Sequence, residues 1–198
     1  MKVPSYNKDN RKENTNGFTL LPKGNYVCKI MGIELVEYKK KNESDPDRSG
    51  IKISFDIAEG EYKDFYSKKY RENEDEDKKW PMDAIYWLGI PYDGCPGFVQ
   101  DTWDTFWANI EDSNNGYIFD GNEKTVKGKV FGGLFHIEQT EYNQRIYDHT
   151  RLKYTCVAQD IRDGKVTRNV KDKLIDVPAT TDTSFIDGPP NAPVDLPF

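Results

Sequence analysis

Four carboxylates fall within nine residues, Asp56, Glu59, Glu61 and Asp64, a spacing that invites a metal-dependent reading. A two-metal nuclease needs carboxylates converging on one cleft from rigid elements. Here they flank Glu59-Gly60, a turn dipeptide, so the solvated rim of a hairpin accounts for them better. His136 sits between Phe135 and Ile137 and reads as a sheet-edge side chain, while His149 lies in a polar turn with no evident nucleophile. Cys28, Cys95 and Cys156 are far apart and form no C-x-x-C, so neither a zinc site nor a disulfide framework is expected. An odd thiol count suits a reducing cytosol. No P-loop, G-x-G-x-x-G, H-E-x-x-H or G-x-S-x-G occurs, and Gly132-Gly133 lies in an apolar run where phosphate has no place. The expectation is a protein without catalytic residues, metal or cofactor.

Binding chemistry is better supplied. Lys52, Lys63, Lys68, Lys69 and Arg71 alternate with Phe55, Tyr62, Phe65, Tyr66 and Tyr70. Residues 151–173 place Arg151, Lys153, Arg162, Lys165, Arg168, Lys171 and Lys173 against Asp160, Asp163 and Asp172. Single-stranded nucleic acid presents bases that stack on rings and phosphates that pair with cations, each stacked base contributing about 1–3 kcal/mol. The stacking candidates are Tyr62, Phe65, Tyr66, Tyr70, Tyr147 and Tyr154. The phosphate candidates are Lys52, Lys63, Lys68, Lys69, Arg151 and Lys153. The plainer alternative is that aromatics favour strands and lysines solvate their outer faces.

The chain closes on Asp195, Leu196, Pro197 and Phe198. Apolar side chains at a polar terminus gain nothing from water. An acid beside a proline-stiffened Leu and Phe suits docking into a basic-rimmed pocket of another protein. Four of the 34 acids lie beyond Lys173 and no cation does, so residues 1–173 carry 28 cations against 30 anions.

These residues need a scaffold, and 198 residues suit one domain with appendages. Residues 1–17 are polar with no apolar run, and are read as a flexible arm rather than a signal peptide. No run approaches 18 apolar residues, so no membrane helix is expected. Tyr26 to Tyr38 reads as a long strand, and Ile51, Ile53, Phe55 and Ile57 alternate cleanly with polar neighbours in a second. Tyr62 to Tyr70 reads as a third, aromatic strand forming a hairpin with the second. Val99, Trp103, Phe106, Trp107 and Ile110 mark one helix whose tryptophans anchor a core, stopped at Asn114-Asn115-Gly116. Val126 to Tyr142 and Arg145 to Ile161 supply the fourth and fifth strands. Three strands, a helix and two strands is the order of a five-stranded oligonucleotide-binding barrel, all-β with one main helix between strands 3 and 4. Residues 18–177 would form that domain, with extended loops, and 178–198 a disordered acidic tail.

Leu21-Pro-Lys-Gly-Asn-Tyr-Val-Cys-Lys-Ile30, Lys52-Ile-Ser-Phe-Asp-Ile-Ala-Glu-Gly-Glu-Tyr-Lys63, Ser113-Asn-Asn-Gly-Tyr-Ile-Phe119, Lys127-Gly-Lys-Val-Phe-Gly and Asp160-Ile-Arg-Asp-Gly164 resemble small phage and prophage proteins of Gram-positive hosts. Members of that family are assigned as single-stranded DNA-binding proteins with the oligonucleotide-binding barrel. Asp195-Leu-Pro-Phe198 resembles the Asp-Ile-Pro-Phe tip by which bacterial single-stranded DNA-binding proteins recruit replication and repair enzymes, but Asp187 and Asp195 are more widely spaced than the usual acids. The resemblance implies a non-catalytic, sequence-independent single-stranded DNA-binding protein in the host cytoplasm, recruiting phage or host replication and recombination proteins. The rival reading is a protein-interaction adaptor or inhibitor on the same barrel. A magnesium-dependent nuclease is third. Homodimerisation through exposed strand edges is a further expectation.

Overall fold

The computed structural model describes residues 19–40, 42–44, 46–142 and 145–175. Alternation of apolar and polar side chains builds β1 (Asn25–Tyr38) and β2 (Arg48–Ile57). α1 (Phe65–Glu72) follows, then a 3-10 turn at Met82–Ala84 running into β3 (Ile85–Gly89). Next come α2 (Gly97–Ser113), α3 (Glu123–Val126), β4 (Val130–Tyr142), β5 (Arg145–Cys156) and α4 (Ala158–Arg162). The strands form one antiparallel sheet in the order β3-β2-β1-β4-β5.

The sheet is open, and this overturns the closed barrel expected from element order. Among the described residues β3 pairs only with β2, and β5 only with β4. Closure needs a ladder between the two outer strands, and none joins the 5 residues of β3 to the 12 of β5. The expectation of one main helix is corrected as well: the described residues hold four helices, of 8, 17, 4 and 5 residues. α4 at Ala158–Arg162 takes the end of the expected fifth strand, and α3 at Glu123–Val126 ends where the expected fourth begins.

The aromatic third strand is also overturned, because Tyr62–Tyr70 turns and enters α1. The cause is a carboxylate on a neighbouring strand. Asp56 on β2 is fully buried and accepts hydrogen bonds from the backbone N–H groups of Tyr66 (2.9 Å) and Ser67 (3.0 Å), and from its neighbour Ile57 (2.8 Å). A carboxylate at the first turn satisfies otherwise orphaned donors and faces the positive end of the helix dipole. Asp64, at φ 60°, turns the chain into that helix.

The core lies between one face of the sheet and the helices. Phe55 meets Tyr66, Phe131 and Phe135 edge to face, with centroids 5.8, 6.1 and 5.8 Å apart. Edge-to-face rings bring positive edges to negative faces, which adds to simple burial. α2 buries Phe106, Trp107 and Ile110 along one stripe, and Trp107 stacks on Phe119 at 3.5 Å. β4 outruns β1, which reaches only Leu134. Beyond that point Lys173 bridges Glu138 in parallel, donating to the Ile137 carbonyl and accepting from Gln139 N–H, both at 2.9 Å.

Candidate functional site: the seam between the outer strands

The 3-10 turn and Tyr86 of β3 face β5 across a seam that side chains, rather than a backbone ladder, span. At one end Asp83, in the 3-10 turn, accepts from His149 Nδ1 on β5 at 3.2 Å and stands 3.9 Å from Arg151. Arg151 continues to Glu138 at 3.1 Å, which Lys173 joins at 2.6 Å. The Lys173 ammonium hydrogen bond holds the Glu138 carboxyl below the usual carboxylate range. His149 Nε2 lies 2.9 Å from Thr140 Oγ1.

Thr140, His149 and Asp83 therefore share the connectivity of a hydroxyl–imidazole–carboxylate triad. Chemistry at Thr140 would need room for a substrate carbonyl and donors for its developing charge. Neither cavity described below borders Thr140. The line acts as a strap fastening the 3-10 turn to β5.

Past the strap the seam widens into a cleft of about 440 Å³. Tyr86 of β3 forms one side, Lys153 and Tyr154 of β5 the other, and Phe98 and Asp101 of α2 reach in from the helix. Burial raises the Tyr86 hydroxyl above its ordinary range, keeping it a neutral donor. Phe98 leaves 70% of its surface in solvent although it is apolar. The Arg168 guanidinium lies 3.5 Å from the Tyr154 ring centroid, a stacked cation–π contact that fixes both groups. Among the described residues neither Lys153 nor Arg168 has a carboxylate within ion-pair distance.

A second cavity, about 280 Å³, lies beside Tyr26 and Tyr62. The Arg162–Glu59 pair borders it, with Nη2–Oε1 2.6 Å and Nε–Oε2 3.1 Å. The Arg162 hydrogen bond lowers the Glu59 carboxyl. Glu59 is thereby committed to the fold.

The structure scatters the residues expected to stack and to pair with phosphate. Tyr66 is 1% exposed and its ring belongs to the core. Tyr62 and Phe65 are half-buried and pack on Tyr26 and Tyr66, while Tyr70 packs on Trp80 at 5.6 Å. Tyr147 is exposed far along the β4–β5 hairpin. Lys52 is bound to Glu34 at 3.0 Å, and Arg151 belongs to the strap. Lys63 and Lys68 are exposed beside and on α1, where Lys69 is half-buried. Tyr154 and Lys153 alone of the twelve line the cleft. Asp195, Leu196, Pro197 and Phe198 lie outside the described residues.

Tyr86, Phe98 and Arg168 were not singled out in sequence. Arg168 sits in the basic stretch 151–173, and Phe98 is an apolar residue off the Trp103–Trp107 stripe, two signals that local spacing could not join. Of the four carboxylates, Asp56 caps α1 and Glu59 pairs with Arg162, so neither sits on a common metal cleft. Among the described residues no group of three His, Cys, Asp or Glu is placed to hold a metal, and no helix is long and apolar enough to cross a membrane.

The fold and site define an open antiparallel sheet with a cleft at its seam. Comparison with protein-family models and with curated proteins finds no match. The resemblance to phage single-stranded DNA-binding proteins is accordingly corrected. The closed barrel it implied is not formed, and the ring-lined face from which DNA coating was argued goes with it.

Proposed function

We propose that this chain is a non-catalytic interaction module that takes an extended segment of a partner protein into the seam between β3 and β5. One observation carries the reading. Two outer strands that, among the described residues, have no ladder on their outer edges flank a cleft that already holds ring and cationic side chains. Free strand edges offer a row of backbone donors and acceptors that an added strand satisfies, and side-chain pockets beside them supply selectivity. A second contact, resting on sequence, is recruitment of another protein by Asp195, Leu196, Pro197 and Phe198.

The test is amide hydrogen exchange with a panel of extended octapeptides of varied charge, run beside oligo-dT at low salt. Protection of Ile85–Gly89 and of 152–156 by peptides is the expected result. Tight capture of oligo-dT with no peptide protecting either strand would overturn the proposal. So would protection of β5 that rises with protein concentration alone, since that reports pairing with a second copy.

A further inference from the structure

Resting on that reading of the seam, we infer that the segment it accepts is acidic and carries one aromatic or long aliphatic side chain. Lys153 and Arg168 stand on the β5 side of the cleft without a carboxylate among the described residues, in a chain whose formal charge is −6. Other cations are already tied to acids, Lys23 to Asp172, Lys52 to Glu34, Arg162 to Glu59 and Lys173 to Glu138, whereas these two are among those left open to a ligand's carboxylate. Among the described residues Asp101 is the one carboxylate lining the cleft, so two cations and one anion leave a net positive wall on a net negative molecule.

Arg168 lies over the Tyr154 ring, so its charge is positioned before any ligand arrives. A guanidinium ordered in advance loses less freedom when a carboxylate binds, and it is the side chain best suited to grip one in two places. Lys153 supplies a second positive point from the adjacent position. Phe98, 70% exposed on α2, and Tyr86 on β3 give an apolar surface across from them. A side chain of the incoming strand that buries Phe98 removes that surface from water. Alternation along an extended peptide sends neighbouring side chains to opposite sides, so acids can meet the cationic wall while an intervening ring meets Phe98.

The experiment uses the full chain and a fluorescein-labelled octapeptide alternating acidic and β-branched residues around one central phenylalanine. Binding is read by anisotropy across sodium chloride concentrations, and hydrogen exchange locates the peptide. Charge reversal at two exposed positions, K153E with R168E, weakens binding by about tenfold or more and flattens its salt dependence. F98A, or alanine in place of the peptide's phenylalanine, weakens it by a smaller factor at unchanged salt slope. Equal binding of a peptide with serine for every acid, still protecting β3 and β5, overturns the acidic specificity and leaves strand addition standing. If no peptide of any charge protects the two edges, the function proposed above fails with it.

Discussion

Asp56 shows how a single side chain can decide the structure of a segment distant in sequence. Alternation along Ile51, Ile53, Phe55 and Ile57 places Asp56 on the opposite face, where a carboxylate reads as solvated. It is instead fully buried at the start of α1, and the carboxylate is spent on three backbone donors. Replacing it by alanine leaves those donors buried and unpaired, at about 1–3 kcal/mol each way such a group is orphaned. D56A is therefore expected to lower unfolding free energy by about 3 kcal/mol, measured by urea titration, with D56N losing less because its carbonyl oxygen still accepts. Equal stability of D56A and the parent would remove Asp56 as the cause of α1. The alternating apolar set was legible because period two is a local property. The partner of Asp56 was not, because it lies ten residues away across a turn.

Among the elements, β1, β2, α2 and the cores of β4 and β5 stand near where their periodicity placed them. β3 escaped notice, since Ile85–Gly89 offers five residues and no clean alternation. Gly132 and Gly133 have a packing role at the crowded junction of β1, β4, β5 and α4. A Cβ at Gly132 would lie 2.5 Å from Cys156 Sγ and 3.0 Å from the Val157 carbonyl. Overpacking of this kind costs about 1–3 kcal/mol. G132A should unfold at lower urea concentration by that amount, and an unchanged midpoint would show that α4 moves aside freely. Of the cleft, Lys153 and Tyr154 were visible in the sequence as a cation beside a ring. Tyr86 and Phe98 reach the same place from two other elements, a proximity no spacing rule contains.

For the molecule as a whole, acid is the weak direction. His136 is buried and bonded to the Lys171 backbone, and burial lowers its pKa from the ordinary 6.5. Between that folded value and 6.5 the unfolded chain binds more protons, so stability is complete above the window and falls as pH drops through it. Glu138 and Asp172 are lowered as well, by Lys173 and by the Ile137 N–H respectively, and their contribution is lost only at more acidic pH, within the carboxylate range. Urea titrations from pH 8 to 4 are expected to show a decline beginning near neutrality. H136Q should flatten the upper part of that decline and leave the lower part intact. A parent curve flat from pH 7 to 5 would exclude His136 as the sensor.

The parallel bridge at Lys173 fastens the far half of β4, where β1 no longer reaches. Asp172 adds a bond to the Ile137 N–H at 2.9 Å, and Lys23 grips Asp172 from the other side. Five residues after Val170 thus behave as a clasp, joining the opening of the fold to its close. Whoever trims this protein should cut after Ile175, because a shorter version would lose its buckle while keeping every strand and helix.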